Sequence, residues 1–309
     1  MDIDNIEITD LKSKLSQILG NKIIAIEKGC KEEVLVELNK QIEGKEIKLV
    51  LVCDSNKVSN DILKRNLDVL NYLNNISAIS ILSNSSKELE EINNVLNIND
   101  LKSFKLSGFY NKNINIEVLN NFKNLKVFEI EALSDGNKYK LLENFNLEKL
   151  AIEKLDLAKI EVNTNLVFLK ISKELVNENL LVEKYPNITH IELVNCKKID
   201  DFSFLEDLKY LENIIINSTN ITVFPKVGTK VTKVQLLANK KLKDIESMFK
   251  ISSLTKVAIT DSIVNFEEII KLSKLNLINF YFRSKSRAEN EDFEKIANAR
   301  DFNNNLFNW

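Results

Sequence analysis

The side chains of this sequence best suited to nucleophilic chemistry are one histidine and three cysteines. A thiol such as Cys30 and an imidazole such as His190 can act as a pair in which the imidazole takes the thiol proton. Cys53 and Cys196 are the other two thiols, and no two cysteines have the CxxC spacing of zinc sites. Few, odd-numbered and widely spaced cysteines also indicate a reducing cytoplasm without disulfides. We therefore expect no metal and no other cofactor.

Adjacent carboxylates are the second set of groups that could act chemically. Glu32-Glu33, Glu90-Glu91 and Glu267-Glu268 fall in predicted helices or strand starts, with lysines nearby. Such pairs belong far more often to solvated faces than to acid–base sites. The sequence also contains none of the motifs GxGxxG, GxxxxGK[ST], HExxH and GxSxG. It therefore predicts a protein that is not an enzyme.

A short apolar pattern recurs along the chain and predicts the elements that carry these groups. Its first, fourth and sixth positions are apolar, as in LENIIIN from Leu211 and VTKVQLL from Val231. Copies start at residues 101, 125, 147, 166, 188, 211, 231, 254 and 277, in steps of 19 to 24 residues. This regular step predicts a stack of repeated units that share one elongated core.

Some units match a known motif well beyond the strand. In LENIIINSTNITVFP, the pattern LxxLxLxxNxLxxLP is matched by Leu211, Ile214, Ile216, Thr219, Ile221 and Phe224-Pro225. Its asparagine position holds Cys196, Thr219, Asn239 and Ser262 in four successive units. The chain thus resembles leucine-rich-repeat proteins, in particular bacterial proteins with short internalin-type repeats, and we expect neither a signal peptide nor a wall anchor. The resemblance implies an α/β repeat solenoid with a curved, mostly parallel sheet.

The asparagine position predicts how neighbouring units are joined. A side chain there is expected to hydrogen-bond backbone groups of the turn and so link adjacent coils. Leu133, Leu155 and Glu174 occupy this position in three earlier units. Because these side chains depart from the pattern, we expect irregular turns in those units.

Both ends of the repeat array are predicted to be capped. We expect an N-terminal cap of a helix plus a β-hairpin over residues 1–45, a solenoid of about eleven strands over 46–285, and a C-terminal helical cap over 286–309. The hairpin strands are KIIAIE from Lys22 and EVLVEL from Glu33, after a helix that begins near Thr9 and ends before Gly20. The C-terminal helix is expected over residues 287–300.

Details of the caps and of the first repeats are also predicted. Ser59 and Ser86 are expected to cap helices within the two long first repeats. The C-terminal helix should bury Phe293, Ile296 and Ala297, while Phe302, Phe307 and Trp309 either help to close the last coil or belong to a frayed terminus. Two alternatives stay open: residues 1–100 form a separate, effector-like α/β domain with the repeats as its targeting arm, or the protein is a self-assembling structural protein.

The candidate binding residues follow from the strand geometry. Side chains at the third, fifth and seventh pattern positions point away from the core, and the resemblance implies that this concave face holds a protein ligand. The candidate residues are Glu129, Phe168, Lys170, His190, Glu192, Asn213, Ile215, Gln235, Leu237 and Tyr281. Exposed apolar side chains among polar ones are typical of protein interfaces, although isolated ones occur on any surface. His190 belongs to this face and Cys30 to the cap several coils away, so no catalytic pair is expected.

Charge and hydropathy limit the classes of partner. Lys and Arg number 43 and Asp and Glu 45, a formal net charge of −2. Charges on the candidate face alternate in sign, so we expect no nucleic acid partner. The start MDIDNIEITD lacks a signal-peptide pattern and no later apolar run approaches about 20 residues, so no membrane association and a cytoplasmic location are expected. The predicted partner is a protein of unknown identity, and the sequence leaves the oligomeric state open.

Overall fold

Two compact units make up the chain, Met1–Ala151 and Ile152–Trp309. The computed structural model describes residues 2–54, 63–84, 89, 91–111, 113–130, 135–143 and 146–302. Ser59, Ser86, Glu90, Leu133, Phe307 and Trp309, for which the sequence made predictions, lie outside the described residues.

The first unit opens with four short elements: α1 (Ile8–Asn21), β1 (Ile23–Ile26), β2 (Cys30–Lys31) and α2 (Glu32–Gln41). Its parallel sheet then runs in chain order through β3 (Lys48–Cys53), β5 (Ala78–Ser83), β6 (Ser103–Gly108), β7 (Val127–Ile130) and the first residues of β8 (Lys149–Asp156). Between β3 and β5, the two-residue β4 (Leu63–Lys64) pairs antiparallel with β2. A short helix, α3 (Asp135–Leu142), precedes β8.

The predicted β-hairpin of the N-terminal cap is wrong. β1 pairs in parallel with β3, and the segment EVLVEL lies in α2 rather than in a strand. Val34, Leu35 and Leu38 are fully buried, at the spacing that places side chains on one helix face. A helical connection also permits the parallel pairing of β1 with β3, which a tight hairpin turn does not.

Local helix boundaries differ from the sequence predictions in two further places. Gly20 lies within α1, and Lys22 adopts the left-handed conformation after it, with φ 54°. The described part of the helix predicted after Ser59 contains β4 and a 3-10 turn at Asn66–Asn71. Leu67 and Leu70 are buried there, because a spacing of three residues also places side chains on one face of a 3-10 helix.

The sheet continues through the region where the alternative reading places a domain boundary. β5 and β6 are paired along their full length, from Ala78 with Ser103 to Ser83 with Gly108. Residue 100 therefore lies inside a repeat of the first unit.

The second unit contains the most regular repeats. Each strand pairs in parallel with the next in the order β9 (Phe168–Val176), β10 (His190–Val194), β11 (Asn213–Asn217), β12 (Lys233–Leu237), β13 (Lys256–Thr260) and β14 (Asn279–Arg283). Its helices are α4 (Leu181–Lys184), α5 (Phe266–Ser273) and α6 (Arg287–Arg300). Short 3-10 turns at Ser203–Leu205 and Glu246–Lys250 occupy other connections. This strand order and spacing confirm the predicted α/β leucine-rich-repeat fold.

The core of the second unit is built from the inward positions of the repeat. The fully buried pairs, each from one strand, are Ile191 and Leu193, Ile214 and Ile216, Val234 and Leu236, and Val257 and Ile259. The helix predicted at the C-terminal end is present as α6, which places Phe293 against β14, 4.9 Å from the ring of Phe280 and 5.4 Å from that of Phe282. Ile296 is only half-buried. Within the described residues, no helix combines the length and apolar character that crossing a bilayer requires.

Candidate functional site

The strands of the second unit present one face away from the core, because successive side chains of a strand alternate between faces. We call this the outward sheet face. Its members are Phe168, Lys170, Ser172, His190, Glu192, Val194, Asn213, Ile215, Asn217, Lys233, Gln235, Leu237, Lys256, Ala258, Thr260, Asn279, Tyr281 and Arg283. Nine of the ten candidate residues lie here. The tenth, Glu129, is in β7 of the first unit, where its carboxylate is 2.7 Å from Lys105 Nζ.

The parallel register aligns these side chains in rows across the strands. One row is Phe168, His190, Asn213, Lys233, Lys256 and Asn279. The next row is Lys170, Glu192, Ile215, Gln235, Ala258 and Tyr281. Neighbouring strands in a sheet lie about 4.8 Å apart, so each side chain in a row contacts or closely approaches the next.

His190 is held between its two neighbours in the first row. Its ring stacks on that of Phe168, with ring centres 5.9 Å apart and planes 30° from parallel. On the other side, its Nδ1 is 3.1 Å from Asn213 Nδ2. The imidazole therefore forms part of a packed surface with fixed orientation.

Lysine–glutamate pairs neutralise the start of the outward sheet face. Lys170 Nζ is 3.2 Å from Glu192 Oε2, in the second row. Lys173, next to Ser172 in β9, also pairs with Glu153. Partly exposed ion pairs of this kind contribute little to stability, about 1 kcal/mol or less, but they fix the charge pattern that a ligand meets.

Lys233 and Lys256 also lie on the outward sheet face, although they are not among the ten binding residues predicted from the sequence. They are direct partners in the register of β12 and β13, so two positive charges lie side by side. Burial, and then the like charge of Lys256, lower the pKa of Lys233, while the carboxylate of Glu192 opposes this shift. A lysine at the same repeat position in consecutive units was the sequence signal.

The second row contains the two most buried side chains among the candidate positions. Gln235 is 7% exposed and Ala258 is 0% exposed, although both point away from the core. Ala258 lies between Gln235 and Tyr281, whose larger side chains rise on either side of its methyl group. The side chain of Gln235 makes no hydrogen bond to any described residue, and its amide atoms keep some contact with solvent. The amide is therefore available to a ligand.

The turn ladder predicted at the asparagine position is present beside this face. Asn239, which is fully buried, donates from Nδ2 to the carbonyl oxygen of Ile216 at 2.7 Å. The Cys196 thiol lies 3.6 Å from the carbonyl oxygen of Ile171. Upstream, Leu155 and Glu174 occupy this position and β8 and β9 extend past it. The backbone still turns there as in the regular units, because Lys154 and Lys173, like Asn195 and Ser218, have positive φ angles, so the irregular turns expected in these two units are not found. The ladder thus fixes the spacing of the strands that carry the face.

The thiols are in the wrong environment for catalysis. Cys30, Cys53 and Cys196 are all buried, and burial raises the pKa of each to about 12. A thiol with this pKa has almost no thiolate at neutral pH, and thiolate is the nucleophile. In the described part of the chain, no group of three or more His, Cys, Asp or Glu residues could hold a metal ion.

The carboxylate pairs lie in helix starts. Glu32 and Glu33 are in the first turn of α2, and Glu32 is 3.4 Å from Lys64 Nζ. Glu267 and Glu268 are in the first turn of α5, where burial raises the pKa of Glu268. Acidic side chains in a first turn interact favourably with the helix dipole, which accounts for their position.

No protein-family model and no curated protein matches this chain. Among solved structures, the chain is similar to an internalin (inlF) from Listeria monocytogenes, with a TM-score of 0.45, 15% identity and 93% of each chain covered. It is also similar to an internalin C2 from the same organism, with a TM-score of 0.35, 15% identity and coverage of 88% of this chain and 92% of that one. A leucine-rich-repeat protein of Leptospira interrogans gives a TM-score of 0.31 at 13% identity, with coverage of 99% and 100%.

Proposed function

We propose that this leucine-rich-repeat protein is a non-enzymatic scaffold that binds another protein on its outward sheet face. The observation that carries the proposal is the parallel register of β9–β14, which assembles nine candidate side chains into adjoining rows on one surface. Those side chains come from strands about twenty residues apart in sequence. A surface built this way suits a ligand that spans several repeats.

The composition of the face supports a protein ligand. Phe168, Ile215, Leu237 and Tyr281 are all partly buried and lie among amides and charged groups. Aromatic and apolar side chains surrounded by polar ones are typical of the centres of protein interfaces. Strand positions with fixed cross-strand neighbours also lose little conformational entropy on binding, which favours affinity.

The chemical groups favour binding over catalysis. The cysteines are buried with raised pKa values, and His190 is packed between Phe168 and Asn213. Neither arrangement leaves a nucleophile with an adjacent base at the surface. This supports a scaffold whose function depends on recognition alone.

The experiment compares two triple alanine variants of the full chain as bait for binding partners. The test variant carries Phe168→Ala, Ile215→Ala and Tyr281→Ala. The matched control carries Val223→Ala, Ile263→Ala and Ile278→Ala, which are exposed apolar side chains outside the strands of the face. Circular dichroism and thermal unfolding establish that both variants fold.

The proposal predicts that the wild type and the control retain the same protein with equal affinity, and that the test variant loses it. Measurement of the dissociation constant with the purified partner provides the quantitative comparison. Equal affinity of the folded test variant and the wild type would contradict binding on this face.

A further inference from the structure

The outward sheet face is neutral at its first strands and carries a net positive charge at its last four. The outward positions of β9 and β10 contain one lysine and one glutamate, which are paired with each other. The twelve outward positions of β11–β14 contain three cations, Lys233, Lys256 and Arg283, and no carboxylate. Since the whole chain has a formal net charge of −2, this segment differs in sign from the average.

The three cations have no ionic partner within the described residues. No described carboxylate forms an ion pair with Lys233, Lys256 or Arg283, and none of the three side chains donates a hydrogen bond to a described residue. The outward carboxylate nearest in register, that of Glu192, is already paired with Lys170. Asp261 follows the end of β13 and makes no ion pair with Arg283. Like charges held side by side without a counter-charge attract an anionic group.

A second observation points to the same place. Gln235 lies two residues beyond Lys233 on the same strand, is only 7% exposed, and its side chain has no hydrogen-bond partner among the described residues. Buried amides are ordinarily hydrogen-bonded, so an accessible and unpartnered one suits a ligand. Ala258, beside it in the register, has the smallest side chain in its row and is fully covered by its neighbours.

We propose that the outward positions of β11–β14 bind an acidic peptide segment of the partner protein. A ligand carboxylate lies between Lys233 and Lys256, the amide of Gln235 hydrogen-bonds the peptide, and Ile215 and Tyr281 contact its apolar side chains. A second carboxylate pairs with Arg283 at the end of the face. This inference rests on the proposed function and adds the chemistry of the partner.

The surroundings of the cations favour a peptide over a nucleic acid. Ile215 and Leu237 alternate with the charged and amide side chains, and strands β11–β14 provide only three cations. Binding to a phosphate backbone typically uses more lysines and arginines in a continuous stripe. A peptide that combines carboxylates with apolar side chains matches both components of the surface.

The test selects, from a pool of random short peptides, those that bind the full chain. Fluorescence anisotropy then measures the affinity of the selected peptides. We expect enrichment of Asp and Glu beside apolar residues, and affinity that falls with added NaCl. Lys233→Gln and Lys256→Gln should each weaken binding roughly tenfold, the loss of one charge-assisted hydrogen bond. The matched control is Lys240→Gln with Lys241→Gln, two exposed lysines outside the strands, and it should bind as the wild type does.

Several results would overturn the inference, and they separate it from the proposed function. A selection that yields no peptides, or peptides without enriched Asp and Glu, contradicts an acidic ligand. Peptides that bind Lys233→Gln and Lys256→Gln normally but fail on the Phe168, Ile215 and Tyr281 triple variant would contradict only the acidic site. Peptides insensitive to all these variants would contradict both proposals. Tighter, lysine-dependent binding of a single-stranded oligonucleotide would assign the cations to nucleic acid instead.

Discussion

Asn239 Oδ1 accepts two hydrogen bonds from Thr219, one from the backbone N–H and one from the side-chain hydroxyl, each 2.9 Å long. The two residues occupy the same position in consecutive repeats, so this contact joins the turn of one coil to that of the next. Thr219 Oγ1 in turn accepts from the backbone N–H of Ile221. All three groups are buried, and the turn therefore depends on side chains for its hydrogen bonds.

Asn239→Ala should destabilise the second unit. The change leaves the N–H of Thr219 and the carbonyl of Ile216 buried without partners, which we expect to cost about 2 kcal/mol or more. Urea denaturation followed by circular dichroism measures the free energy of unfolding. Lys240→Ala, at the exposed neighbouring position, is the control and should change stability little. An Asn239→Ala protein as stable as this control would show that the ladder is not needed.

Gly108→Ala should be strongly destabilising in the first unit. Gly108 has φ +90°, and a Cβ added there would lie 2.2 Å from the carbonyl oxygen of Ser83, in the neighbouring strand. Both the strained conformation and the backbone clash predict a loss of roughly 2 kcal/mol or more. Gly20→Ala is the matched control, because Gly20 lies in α1 with no atom within 4 Å of the new Cβ. Thermal unfolding should show the control stabilised by about 0.5–1 kcal/mol, opposite in sign.

The three cysteines should be unreactive in the folded protein. With a pKa of about 12, each buried thiol has a thiolate fraction on the order of 10⁻⁴ at pH 8. Ellman's reagent should therefore react slowly with the native chain and rapidly with all three thiols in guanidinium chloride. A Lys240→Cys variant supplies one exposed thiol as a positive control. Reaction of a native cysteine as fast as that of the control would contradict the assigned burial.

The pKa of Lys233 should be lower than the ordinary value of a lysine side chain. Burial and the charge of Lys256 lower its pKa in the folded protein, so between the folded and unfolded pKa values the unfolded chain binds more protons. The contribution of Lys233 to the free energy of unfolding therefore rises with pH through that interval. Reductive ¹³C-methylation and NMR titration measure the pKa directly.

The neighbouring charge provides the check on this explanation. Lys256→Gln removes the like charge, so the pKa of Lys233 should rise towards its ordinary value. Lys240→Gln, which is distant in register from Lys233, should leave the titration unchanged. A Lys233 pKa that is the same in Lys256→Gln as in the wild type would show that burial alone is responsible.

The regular repeats could be predicted from sequence because their pattern is local and repeated. Leu211, Ile214 and Ile216 identify a strand and its inward side chains within a few residues, and the same spacing in the next unit sets the register. The N-terminal cap could not be predicted in this way. Val34, Val36 and Leu38 alternate as a strand would, and only packing of Val34, Leu35 and Leu38 against the core selects the helix α2.

The candidate site was partly predictable for the same reason. Alternation along each strand identified Phe168, Ile215 and Tyr281 as outward residues, but it gives no account of burial within the face. The near-complete burial of Gln235 depends on the side chains of adjacent strands, and the unpaired state of Lys233 and Lys256 depends on which carboxylates lie within reach.

The sequence by itself determined the repeat length, the parallel strand order within the regular units and the identity of the side chains that face away from the core. These follow from periodicity, since a side chain's direction in a strand depends only on its position. Tertiary structure decided the helical form of α2, the pairing of β1 with β3, the hydrogen-bond partners of Asn239 within the turn ladder and the near-complete burial of Gln235. Those features arise from contacts between residues distant in sequence, which a local pattern does not encode.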